Sequence, residues 1–155
     1  LNFHEQMYRR DIHKYLAIMG NVNTYVGYLS MIIPLFIVFS IQRMENTVEK
    51  HKINVLMYLG YLNVIICNSD GIYLGLAFGI SIIIFDSVDK LEKIKNIILN
   101  FILFSFASGT IFIINFAFKD YFTWLDGITF SIVYKNIWMV MGVISILLYL
   151  IILVI

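Results

Sequence analysis

The residues best suited to chemistry sit in three short polar islands. Asn68-Ser69-Asp70-Gly71 interrupts an apolar run from Ile53 to Phe85 in which Asp70 is the only charged residue. An amide, a hydroxyl and a carboxylate side by side can exchange hydrogen bonds with sugar hydroxyls, and an ionisable group at membrane depth is costly enough to suggest a role. The same residue types also build a solvated turn whose Asp caps the next helix. Asn21 and Asn23 form the second island, and Arg9 and Arg10 the third. Paired guanidinium groups suit a diphosphate, and equally a hydrated surface. His4, His13 and His51 are too scattered for metal-ligand spacing, and no Cys or carboxylate completes a set, so no metal is expected. No Ser, His and Asp arrangement can be built, and the glycines follow neither the phosphate-loop nor the dinucleotide pattern. No cofactor is expected either. Tyr121-Phe122-Thr123-Trp124 suits an interfacial belt, or a platform for stacking sugars. Cys67, the single cysteine, excludes an internal disulfide and reads as a small apolar residue.

The elements that position these islands follow from composition. The chain is 61% hydrophobic and 14% charged, against about 25% charged in a soluble domain. That predicts an all-α, polytopic integral membrane bundle. A net charge of +1 supplies no basic field, so nucleic acid is not a partner. A single helix from Ile53 to Phe85 would extend about 50 Å, far beyond a hydrocarbon core of about 30 Å. Two short helices meeting at the Asn68 to Gly71 turn fit better, because Asn, Asp, Ser and Gly stabilise chain reversal. About five membrane segments result, over 21–42, 53–68, 71–85, 96–118 and 136–155, with a kink expected at Pro34 in the first. Charged links are expected from Arg43 to Lys52 and from Asp86 to Lys95, and a polar, aromatic loop from Lys119 to Lys135. Ser105, Ser108, Gly109 and Thr110 would permit close helix packing. Beginning on Leu1 and ending within an apolar run, residues 1–155 read as one membrane-domain fragment, with further spans of a longer protein as its partners.

Orientation follows from the cations. If the chain reverses at Asn68 to Gly71, Arg43, Lys50, Lys52, Lys90, Lys93 and Lys95 crowd two short links on one side, which should be cytoplasmic. The N-terminal segment, the turn and the Lys119 to Lys135 loop then share the outer face, and Asn21, Asn23, Ser69 and Asp70 gather there.

Gly20-Asn21-Val22-Asn23-Thr24-Tyr25 at the head of a span, followed after a basic link by a helix ending Asn68-Ser69-Asp70-Gly71-Ile72-Tyr73-Leu74, resembles the O-antigen ligase and polymerase family. The resemblance covers Gly20 to Phe85. It implies a helical membrane glycosyltransferase of the bacterial cell membrane that moves a glycan from an undecaprenyl-diphosphate carrier to an acceptor hydroxyl at the outer face, without a metal. The substrate-binding residues would be Asn21, Asn23, Ser69, Asp70, Arg9 and Arg10. One departure stands out: many members have Ser-Arg at the turn, where this chain has Ser69-Asp70, an anion in place of a cation. The family's large outer loop, with its basic residues and histidine, would lie outside this fragment, which alone should be inactive. The alternatives are a transporter or flippase segment, whose broken helices often carry the substrate site, and a noncatalytic membrane subunit.

Overall fold

The computed structural model describes residues 22–42, 47–87, 90–118 and 125–154. Those residues fold into six helices: α1 (Val22–Gln42), α2 (Thr47–Cys67), α3 (Asp70–Ser87), α4 (Leu91–Ala117), α5 (Gly127–Tyr134) and α6 (Ile137–Val154). No strand occurs among the described residues. Three of the helices, α1, α4 and α6, are long and apolar enough to cross a membrane.

Helix α1 buries a stripe of Val26, Leu29, Ile33, Ile37 and Ser40, the spacing that places side chains on one face. Tyr25 reaches Asn63, and Gly60 lies against Ile33, so α1 and α2 run antiparallel. Gly75 and Gly79 of α3 lie against Ser30 and Pro34 of α1, a parallel register in which both partners advance by four residues. A Cβ on Gly75 would come within 2.8 Å of the Ser30 Cβ, and one on Gly79 within 2.7 Å of the Pro34 ring. This small-residue pair lets two backbones approach as a Gly-x-x-x-Gly face does in membranes. Helices α2 and α3 therefore run in opposite directions, and the chain reverses at Asn68, whose φ of 47° is left-handed.

Helix α4 packs against α6 in antiparallel fashion. Gly109 accepts the Trp138 ring, Ser105 lies on Gly142, and Lys95 lies over the Tyr149 ring at 5.6 Å. Ser145 is the one buried residue of α6. The rest of that helix shows apolar side chains such as Leu147 and Ile151, both more than half exposed, as a lipid-facing surface does.

Among the described residues, the polar side chains inside the bundle are paired, with Ser105 Oγ the exception. Asn100, almost wholly buried, donates to the Asn96 carbonyl at 2.9 Å and reaches Ser40 Oγ at 3.5 Å, while the Tyr61 hydroxyl donates to its Oδ1 at 3.4 Å. Tyr58 and Thr110 share a hydroxyl bond of 2.8 Å. Such pairing is required because an unsatisfied polar group in an apolar interior is expensive.

Several boundaries differ from the sequence expectation. Helix α2 begins at Thr47, so Glu49, Lys50, His51 and Lys52 are helical rather than part of a link. Helix α4 begins at Leu91 and carries Lys93 and Lys95. The expected loop from Lys119 to Lys135 contains α5. Charge ends a membrane segment, but Glu and Lys are good helix formers and do not end a helix.

Candidate functional site

The polar turn is built from α2 outward. Asn68 N–H donates to the Ile65 carbonyl at 3.1 Å, closing α2, and Ile72 N–H donates to the Ser69 carbonyl at 3.1 Å, opening α3. The side chains of this turn do not act locally. Asn68 Nδ2 donates to Asp126 Oδ1 at 2.8 Å, and Asp126 N–H donates back to Asn68 Oδ1 at 3.1 Å. The Ile128 N–H donates to Asp70 Oδ1 at 2.9 Å. One helical turn farther on, the hydroxyls of Tyr73 and the fully buried Thr129 meet at 3.0 Å. Residues 68–73 are thus joined to residues 126–129 at four points.

These bonds explain the start of α5. Asp126 occupies its N-cap position but makes no capping hydrogen bond with its side chain, because that carboxylate is held by Asn68. Asp70 supplies the missing acceptor from across the bundle, and its charge complements the positive end of the short helix. Gly127 sits between them at φ +52°. A Cβ there would lie 2.7 Å from Asp70 Oδ1 and 2.8 Å from Oδ2, so only glycine fits both the backbone and the carboxylate.

Asp70 and Asp126 both stand exposed on this edge. The one ion pair among the described residues, Lys93 with Asp86 at 3.2 Å, lies at the opposite end of α3. The described part of the turn is therefore an acceptor-rich, anionic edge. Each carboxylate has more acceptor positions than its protein bond uses, so the edge can bind hydroxyl groups; nothing described there supplies a cation for a diphosphate. Among the described residues no three His, Cys, Asp or Glu side chains converge as metal ligands.

Of the residues singled out from sequence, Ser69 and Asp70 are adjacent at this turn. The parallel register of α1 on α3, Ser30 with Gly75 and Pro34 with Gly79, places the first turn of α1 level with it, and Asn23 lies on that first turn. The Asn23 side chain, and Asn21, Arg9 and Arg10 altogether, lie outside the described residues. The sequence places the loop containing Trp124 and Asp126 on the same outer face as the turn, and Asp126 does meet Asn68 there, whereas Gly127, Ile128 and Thr129 were missed as partners and Trp124 lies outside the described residues. The Asp126-Gly127 dipeptide was the available signal, since it marks a special backbone conformation.

An apolar groove opens beside the site. It has a volume of about 220 Å³ and runs along α3 from Tyr73 to Ile83, with Phe101 and Phe104 of α4 forming its other wall. Comparison of the chain with protein-family models, curated proteins and solved structures finds no match.

Proposed function

We propose that the chain belongs to a membrane glycosyltransferase of the O-antigen ligase and polymerase kind, acting in the bacterial cytoplasmic membrane. Here α1, α2, α3, α4 and α6 cross the membrane and α5 lies at the outer face. The cation-bearing ends of α2 and α4 are cytoplasmic. The polar edge at residues 68–70 and 126–128 faces outward and contacts the glycan of an undecaprenyl-diphosphate donor, or the acceptor hydroxyl. The observation that carries this reading is the stitched turn. Two carboxylates and an amide are held rigidly at one end of the bundle, level with the start of α1, with acceptor capacity left over. Arg9, Arg10, Asn21 and Asn23 would supply the remaining polar contacts, and Asp70 hydrogen-bonds a sugar instead of neutralising phosphate.

The test is reconstitution of the full-length protein with a lipid-linked oligosaccharide. Asp70→Asn keeps an oxygen for the Ile128 N–H and removes the charge. It should slow glycan transfer while leaving thermal stability near that of the parent. Asn23→Ala should also slow transfer. If both variants transfer at the parental rate, the site assignment fails. If the parent consumes no lipid-linked donor with any acceptor, the transferase reading itself fails.

A second reading, a noncatalytic membrane subunit, is favoured by one observation: Asn68, Asp70 and Asp126 already bind within the protein. It requires that variants at the turn change stability and leave transfer untouched.

A further inference from the structure

The groove beside α3 has three properties that together select an occupant. Its lining is almost entirely hydrocarbon, from Leu76, Ile80 and Ile83 on one side to Ile97, Phe101 and Phe104 on the other. Apolar cavities of about 150 Å³ stay dry and take up benzene-sized apolar molecules. A groove of about 220 Å³ with such walls therefore excludes water and sugar and accepts a hydrocarbon.

Its length is the second property. Tyr73 to Ile83 on α3 extends about 15 Å, which is half of a hydrocarbon core of about 30 Å and so the depth of one leaflet. A polyprenyl carrier chain is several times longer than this. The side is open at Ala77, which is exposed, so a lipid chain can enter laterally.

Charge is the third. The end of the groove near the turn is closed by Ile128 and Ile132 of α5 and by the Tyr73–Thr129 bond. Its other end, at Ile83 and Ile97, lies within about one helical turn of Asp86 and Lys93, with Lys90 and Glu92 exposed nearby and Lys95 half-buried farther along α4. Lys93 Nζ donates to Asp86 Oδ2 at 3.2 Å and to the Asp86 carbonyl at 3.3 Å, which leaves one donor that can meet a phosphate at the interface.

We propose that this groove holds one acyl chain of an anionic phospholipid from the leaflet at the Lys90 and Lys93 end, with its phosphate beside those lysines. The lipid fills the gap between α3 and α4. Its site is separate from the polar edge, and the proposal stands whether or not the protein is a transferase.

The experiment places the full-length protein in nanodiscs of phosphatidylglycerol and phosphatidylcholine. Either lipid carries a diazirine near the end of one acyl chain, and adducts are mapped by peptide mass spectrometry. Adducts from phosphatidylglycerol should concentrate on Tyr73, Leu76 or Phe104, at the end of the groove away from the lysines. Ala77→Phe, which fills the opening, should abolish them, whereas Leu74→Phe, on the same helix but off the groove, should keep them. Lys90→Gln with Lys93→Gln should bring phosphatidylglycerol and phosphatidylcholine labelling toward parity. Adducts confined to outward residues of α6, or unchanged by Ala77→Phe, would overturn the proposal. So would displacement of the labelled phospholipid by an equimolar amount of undecaprenyl phosphate, which would assign the groove to the carrier. If Ala77→Phe does not insert, the parental adduct map decides alone.

Discussion

Gly127→Ala isolates the contact between the turn and α5. The glycine holds φ +52°, and an L residue there costs about 1–2 kcal/mol. The new methyl group would sit 2.7 and 2.8 Å from the two oxygens of Asp70 and 3.1 Å from its Cγ, so the carboxylate must swing away from the Ile128 N–H. A hydrogen bond to a charged group is worth about 1.5–3 kcal/mol, and the exposure of this one argues for a loss near about 1 kcal/mol. The expected total is about 2–3 kcal/mol. Most of the second part should vanish when Asp70 is already alanine, because no carboxylate remains to be displaced. A double-mutant cycle on Gly127→Ala and Asp70→Ala should therefore show a coupling of about 1 kcal/mol, outside the additivity scatter of about 0.3–0.5 kcal/mol. The measurement is unfolding in mixed micelles by SDS titration, followed by helical circular dichroism. Equal costs for Gly127→Ala in both backgrounds would refute the steric reasoning and leave backbone conformation as the whole effect.

Gly79→Ala should destabilise by about 1–3 kcal/mol, since its methyl meets the rigid Pro34 ring at 2.7 Å. Gly27→Ala, with nothing within 4 Å, should instead stabilise by up to about 1 kcal/mol, and the same titration reads both signs. Ser105 Oγ is buried without a hydrogen-bond partner among the described residues, so Ser105→Ala should be neutral or stabilise by up to about 1 kcal/mol; a loss larger than that would reveal a bond to a group outside them. Single cysteines at Glu49 and Lys90, in a Cys67→Ser background, should be labelled by impermeant maleimide from the same membrane face, and labelling from opposite faces would exclude reversal of the chain within the membrane.

The turn was legible because its cause is local. Asn, Ser, Asp and Gly in succession break an apolar run, and Asn68 adopts the left-handed conformation that asparagine tolerates. What Asp70 does was not legible. The local expectation is a cap on its own helix, yet its observed partner is the Ile128 N–H, 58 residues away, and nothing in the intervening sequence records that approach. Helix α5 was missed for a different reason: eight residues are too few for a helical period to emerge among aromatic neighbours. The Gly75 and Gly79 face was available as a four-residue spacing, but what it packs against was not. Asn96 and Asn100, also four apart, place amides on one face of a long apolar helix, and only tertiary contacts reveal that Ser40 and Tyr61 complete the pairing. Asn21, Arg9 and Arg10 lie outside the described residues, so the cationic part of the expected site rests on sequence alone.

The four bonds between residues 68–73 and 126–129 also impose an order on biogenesis. Asn68 with Asp126 and Asp70 with Ile128 are each 58 positions apart. At a synthesis rate of about 5–20 residues per second, roughly 3–12 s separate the emergence of the turn from that of its partners. During that interval the bonds of Asn68 to Asp126 and of Asp70 to the Ile128 N–H cannot form, and burying these side chains in lipid without them would be costly. The nascent turn must therefore wait in water, beyond the bilayer or inside the insertion machinery. Helices α2 and α3 can form before the latch closes, and α5 then arrives as the piece that seals them.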